Sequence, residues 1–388
     1  MSHSVRDCSC TCSEFLEEYL VAGFHATGIV DKKEIRSLGS IIIFLTGRAE
    51  PGPMKAVVCA GREAELAEIP DPAPVPGEVV VEVDACGLCG SDVHALAEGK
   101  TAEGQVLGHE FGGRVVEPAG PWRAGDVVAV NPLGSCGRCR ECAKGLHFRC
   151  AAKPNVGITA PGAYAQYVAV PHDQLVALPD GLPAELGAHA EPLAVAINAV
   201  RRAAIDPGDP VLVYGVGSIG LNAIMALRLA GAGVVVAAGR SPGRRAAAAK
   251  VGADEVLDTR ELTVAEYARR TGRRFAAVLE CSAAPGAIAE SLDVLEPGGT
   301  CVEVALTDEI AGVPLGRLVA EGLQVNGSCA FPAEVYDEAV GHIAAGRAPV
   351  TDLISERVSL AATPDALVRL RAPGELVRVL AKPNEREF

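Results

Sequence analysis

The sequence predicts an α/β protein of two domains, a β-rich domain followed by a doubly wound parallel sheet. Two patterns carry this expectation. Over residues 55–178, β-branched runs such as GEVVVEVDAC and GDVVAVNP are separated by Gly- and Pro-bearing turns, as in barrel-like β folds. From residue 191 apolar strands alternate with helices, the pattern of a parallel sheet covered on both faces. A chain of 388 residues suffices for two such cores.

In chain order, residues 1–53 stand apart. They hold Cys8, Cys10 and Cys12 in alternation without a fourth cysteine, and end in AEPGP before MKAVVC opens what reads as the first strand. We expect a dispensable, poorly ordered leader. Beyond the β-rich region the pattern predicts helices over 193–204, 218–230, 241–251 and 285–295. Between them it predicts strands over 210–214, 233–238, 276–280 and 300–305. After residue 327 it turns mixed, with a helix over 332–345 and a strand over 376–381.

The run VLVYGVGSIGLNAIMALRLAGAG places Gly215, Gly217 and Gly220 between a strand and a helix, with Ser218 and Ile219 in the turn. In that context G-x-G-x-x-G is a dinucleotide fingerprint, which seats the pyrophosphate on the helix N-terminus. The next strand ends in AAGRSPGRR, so Gly239 stands where an NAD site carries an acid. Arg240, Ser241, Arg244 and Arg245 follow, and cations there welcome a 2′-phosphate. NADP(H) is therefore preferred over NAD(H).

Two cysteine and histidine patterns read as zinc sites. Cys136, Cys139, Cys142 and Cys150 close a tetrahedron of thiolates, as structural zinc requires. Cys89 in CGLCGSDVH, with His109 and Glu110 in LGHEFGG, leaves a coordination position open, as catalytic zinc requires. Disulfides compete for the first reading, but thirteen cysteines without a secretory signal favour a reducing compartment. Cys86, His147 and His189 read as structural.

Composition excludes other classes. A net charge of −14 argues against nucleic acid. No apolar run approaches the ~20 residues of a membrane span, the longest being 41–45. No basic and apolar leader opens the chain, so we expect a cytoplasmic location.

With these motifs in this order, and with EPLAVAINAV beginning at Glu191, the chain resembles the zinc-dependent medium-chain dehydrogenase/reductase superfamily. It is most similar to the alcohol, polyol and threonine dehydrogenase branch, from Met54 onward. The resemblance implies a GroES-like catalytic domain over 54–192, completed by 329–388, and a Rossmann domain over 193–328. It implies Cys89 and His109 as catalytic zinc ligands, with Glu110 a direct ligand or one step removed. Glu191 takes the place where liver-type alcohol dehydrogenases carry a cysteine, and which carboxylate binds stays open. Ser91 and His94 would relay the proton an alcohol loses before hydride leaves carbon. The substrate would be a small alcohol or carbonyl, its pocket shaped by 95–105 and residues near Asn131 and Tyr164. Two zincs per chain and a homodimer or homotetramer follow from the same likeness.

Two rival readings accompany it: a zinc- and NADP(H)-binding sensor or scaffold without catalysis, and an NAD-dependent polyol, sugar or threonine-type dehydrogenase. Cys89, Ser91, His109 and Glu191 occurring together favour an enzyme. A chain beginning at Met54 is expected to fold, bind both zincs and turn over like the full chain. Comparing activity and zinc content of the two forms checks this, and loss of either shows that the leader serves the functional protein.

Overall fold

The computed structural model describes residues 52–153, 155–306, 312–371 and 374–384. Cys8, Cys10 and Cys12 lie outside them. An antiparallel hairpin of β1 (Pro53–Ala60) and β2 (Glu63–Pro70) opens the described chain. Then come β3 (Glu78–Gly87), helix α1 (Gly90–Glu98), β4 (Glu110–Glu117), β5 (Val127–Val130), a short α2 (Arg140–Ala143), β6 (Tyr167–Pro171) and β7 (Leu175–Ala177). β3 is the hub of a seven-stranded sheet, pairing antiparallel with both β4 and β6. Its Val79, Val81 and Val83 point to one fully buried face, the period of two that marks a strand against a core.

A 3-10 segment (Ala184–His189) leads into α3 (Ala190–Ala203) and the second region. Here β8 (Val211–Tyr214), α4 (Ser218–Leu229), β9 (Val235–Gly239), α5 (Pro242–Lys250), β10 (Glu255–Asp258) and α6 (Val264–Thr271) alternate. They continue as β11 (Phe275–Glu280), α7 (Ala287–Val294), β12 (Leu295–Glu303), α8 (Leu315–Glu321) and β13 (Gln324–Gly327). The six strands are all parallel in the order β10-β9-β8-β11-β12-β13. Both sheet faces are apolar. Val211, Val213, Val235, Ala237, Ala277 and Leu279 join a core with α3 and α4, while Leu212, Val236, Ala238 and Val278 join another with α6 and α7. The order reverses between β8 and β11, the switch point at whose carboxyl ends parallel sheets of this kind bind ligands.

The chain closes with α9 (Ala333–Ala344), β14 (Ile354–Ser359), α10 (Thr363–Arg371) and β15 (Arg378–Lys382). α9 packs into the core of α3 and α4. β15 returns to the first sheet, pairing Leu380 with Gly87 and Ala381 with Cys86. At its start, the buried Arg378 guanidinium pairs with Glu110 on β4 and donates to the Ala188 carbonyl.

Several elements have no counterpart in the sequence reading, among them α1, α2, β10, α6, α8, β13, β14 and α10. The strands β10 and β13 are four residues each, and α1 buries only Asp92, Val93 and Leu96, too little to show a helical period. α6 carries a readable start, Thr263 capping the Glu266 amide.

Arg378→Ala leaves a carboxylate buried without its cation. We expect a loss of about 3–5 kcal/mol, measurable as a drop in the denaturation midpoint; an unchanged midpoint would contradict the role given to the pair.

Candidate active site

Cys89 caps the N-terminus of α1, its sulfur lying 3.5 Å from the Ser91 amide and 3.2 Å from the Ser91 hydroxyl, both of which donate to it. Opposite stands the turn into β4, which carries His109 and Glu110. One ligand atom each from Cys89, His109 and Glu110 lie within 4.8 Å of one another. His109 is 5% exposed and Glu110 1%. Burial, and then the Glu110 charge, push the Cys89 thiol up. A bare thiolate is therefore costly here, and a divalent cation reverses that balance. A soft thiolate, an imidazole and a carboxylate at this spacing fit zinc.

The imidazole is faced from behind by a carboxylate at ion-pair distance, short of a hydrogen bond. Its Nδ1 lies 3.4 Å from Asp92 Oδ1, and Asp92 is itself held by the Tyr164 hydroxyl, which donates to Oδ2 at 2.6 Å. Burial lowers the His109 pKa, but Asp92 and Cys89 together outweigh it and raise it well above the ordinary value. Asp92 and Arg378 are residues the sequence reading missed. Asp92 had a signal, a carboxylate three residues after Cys89 in the quoted motif; Arg378 had none, lying 268 residues from its partner.

Of the other expected residues, Glu191 opens α3 and stands outside the tight ligand set. It still feels that set: burial pushes its carboxyl up to about 7, opposed by His109 and reinforced by Glu110. Ser91 and His94 are both exposed, one turn apart on α1. Asn131 and Tyr164, near which the pocket was expected, have structural partners. Both are buried, Asn131 Oδ1 accepting from the Leu133 amide and Tyr164 supporting Asp92.

The second cluster sits around α2. Ligand atoms of Cys136, Cys139, Cys142 and Cys150 lie within 4.8 Å of one another, with no position left for a substrate. The Ser135 hydroxyl holds Cys142 down at about 5, and backbone amides lower Cys136. His147 joins this shell, its Nδ1 2.7 Å from Ser135 Oγ. Cys139 moves the other way: the Cys142 amide lowers it, but the Cys142 thiol, burial and the Cys136 thiol outweigh this and push it up to about 12. Thiols this close cannot all ionise without a cation among them, which a closed zinc site supplies.

The switch point of the parallel sheet carries the glycine turn. Gly215 has φ +105°, and a Cβ on Gly220 would collide with the Gly215 carbonyl, so strand and helix approach as a fingerprint demands. At Gly217 nothing lies within 4 Å of where a Cβ would sit, which leaves the α4 N-terminus open to a diphosphate. Ser218 Oγ is buried there with no partner among the described residues, while Ile219 is half-buried. These features fit a dinucleotide.

At the end of β9 the expected cofactor contacts divide. A Cβ on Gly239 would strike Val216, so packing as well as cofactor choice favours glycine. Arg240 is exposed. Arg244 and Arg245, expected to face the cofactor, are engaged by the protein instead. Arg244 donates to the Leu376 carbonyl at 3.0 and 2.6 Å, and Arg245 to the Arg240 carbonyl at 2.7 Å and to Asp258 at 2.8 Å.

Comparison with known proteins agrees with this architecture. The alcohol dehydrogenase GroES-like domain family matches residues 75–180, and the zinc-binding dehydrogenase family matches 218–345. Sorbitol dehydrogenase of Bacillus subtilis is 31% identical across 86% of this chain and 98% of its own. L-threonine 3-dehydrogenase of Chelativorans sp. is 30% identical across 79% and 92%. A zinc-binding dehydrogenase structure from Sinorhizobium meliloti 1021, solved with NADP, superposes with TM-score 0.80 at 32% identity, covering 86% of this chain and all of that one. With a GroES-like β domain, a Rossmann sheet and the dehydrogenase motifs in one chain, the protein belongs to the zinc-dependent medium-chain dehydrogenases, oxidoreductases of the alcohol dehydrogenase type.

Proposed function

We propose that the chain interconverts a small alcohol and its carbonyl with NADP(H), using zinc held by Cys89, His109 and a carboxylate from Glu110 or Glu191. The observation that carries this reading is the meeting of Cys89, His109 and Glu110 within 4.8 Å, beside an accessible Ser91. Bound zinc supplies Lewis-acid polarisation of the substrate oxygen, and bound nicotinamide supplies hydride exchange.

The chain's own residues do the rest. Asp92 orients the His109 ring, and Arg378 neutralises Glu110 so that two buried carboxylates do not crowd one metal. The Ser91 hydroxyl takes the substrate's hydroxyl proton, and His94, one turn along α1, passes it to water. The α4 N-terminus and Ser218 receive the diphosphate. Absence of an acid at Gly239 and the exposed Arg240 guanidinium support NADP(H), as does the NADP held by the Sinorhizobium relative. The four-cysteine lobe would hold a second, structural zinc.

An assembly of two or four copies is the quaternary reading. β13 is an edge strand, and Leu315, Val319 and Val325 near it are exposed. The free thiols fit a reducing cytoplasm. Among the described residues no helix is long and apolar enough to cross a membrane.

Cys89→Ser is expected to lower zinc content from two ions per chain to one and to cut kcat/KM by about 100-fold or more. Metal analysis beside kinetics decides it; full occupancy with full turnover would refute the open site. Arg240→Ala is expected to shrink the NADP-over-NAD ratio of kcat/KM by about 1–2 kcal/mol, exposure keeping the effect modest. If the unmodified chain uses NAD better, the cofactor assignment is wrong.

A further inference from the structure

The start of α5 offers a second anion seat, and the chain fills it itself. Ser241 caps the helix, its Oγ accepting from the Arg244 amide at 3.3 Å. The same hydroxyl donates to Glu375 Oε2 at 2.7 Å, and the Gly243 amide donates to that oxygen at 2.5 Å. Glu375 arrives from the segment between α10 and β15. The next residue, Leu376, is tied down through its carbonyl by Arg244. The Ser241 hydroxyl, then the Gly243 amide and the charges of Arg244 and Arg245, hold the Glu375 carboxyl below the usual carboxylate range. Glu375 is therefore ionised at neutral pH. A hydroxyl plus a helix-terminal amide, directly beyond Gly239 and Arg240, is the donor set a ribose 2′-phosphate requires.

We propose that Glu375 is a cofactor-selectivity residue: a 2′-phosphate reaches the Ser241–Gly243 seat only by displacing the Glu375 carboxylate, whereas a free 2′-hydroxyl binds with that carboxylate in place. In this arrangement the far end of the chain supplies the acid that position 239 lacks, as an acceptor for the 2′-hydroxyl. Arg240 and Glu375 then pull cofactor choice in opposite directions. The inference rests on the switch point being a dinucleotide site.

The test is calorimetric titration of the full, zinc-containing chain with adenosine 2′,5′-bisphosphate and with 5′-AMP. It compares the unmodified protein with Glu375→Gln, which keeps an acceptor oxygen without the charge, and with Glu375→Ala, which empties the seat. A phosphate of charge near −2 against one exposed carboxylate gives an expected shift of about tenfold toward the bisphosphate in both variants. Binding of 5′-AMP should be unchanged or slightly weakened, and raising the salt concentration should narrow the shift. A bisphosphate-to-AMP ratio equal to that of the unmodified protein in both variants overturns the proposal, as does an equal gain for both ligands. The preference of the unmodified chain judges the NADP(H) reading separately; the shift between proteins judges Glu375 alone.

Discussion

The ion pair between Glu110 and Arg378 bridges β4 and β15, the two strands that flank the site end of β3 in one sheet. Burying two charges costs more than their attraction returns unless further hydrogen bonds complete the geometry. Arg378 answers this by also donating to the Ala188 carbonyl. One guanidinium thus ties β4, β15 and the 3-10 entry to α3 together, around the site where Cys89 and His109 converge. Its field reaches further: burial, then the charge of Arg378, hold the neighbouring His189 down at about 3, so that this imidazole stays neutral. Remove the cation, and the buried Glu110 carboxylate loses its ion-pair partner.

The same short stretch of chain serves both sites. Glu375 and Leu376 grip the start of α5 in the parallel-sheet region, and Arg378, two residues on, pairs with Glu110 of the candidate metal-ligand cluster. The candidate metal-ligand cluster and the start of α5 are thus linked through one stretch of backbone. Electrostatics are arranged in complementary fashion at its two ends, a carboxylate on a helix N-terminus at one and a guanidinium on a carboxylate at the other.

Much of this was legible in the sequence, and the reasons differ by element. The strands β8, β9 and β11 and the helices α3, α4 and α9 were readable because continuous apolar runs and helical periods are local properties. The four-cysteine cluster was readable because its ligands crowd into fifteen residues of sequence, Cys136 to Cys150. Asp92 lay inside a motif already in view, yet nothing local distinguishes a carboxylate that orients a histidine from one that faces water. The engagement of Arg244 and Arg245 was invisible for the opposite reason. A run of arginines after a glycine promises free cations, and only the fold reveals a carbonyl at Leu376 and a carboxylate at Asp258 waiting for them. Arg378 itself could be found only in three dimensions.

The pairing of β15 with β3 has a consequence for how the protein is made. Synthesis runs from the N-terminus, so the first sheet leaves the ribosome with a vacant edge beside Gly87, and the whole parallel-sheet region must be translated before that edge is filled. Loop closure over so long a separation is slow, although its entropic penalty grows only gently with length. Until then Glu110 lacks its counter-ion. The nascent chain can therefore bring its four-cysteine cluster together early, whereas the surroundings of Cys89, His109 and Glu110 are complete only after β15 has been made.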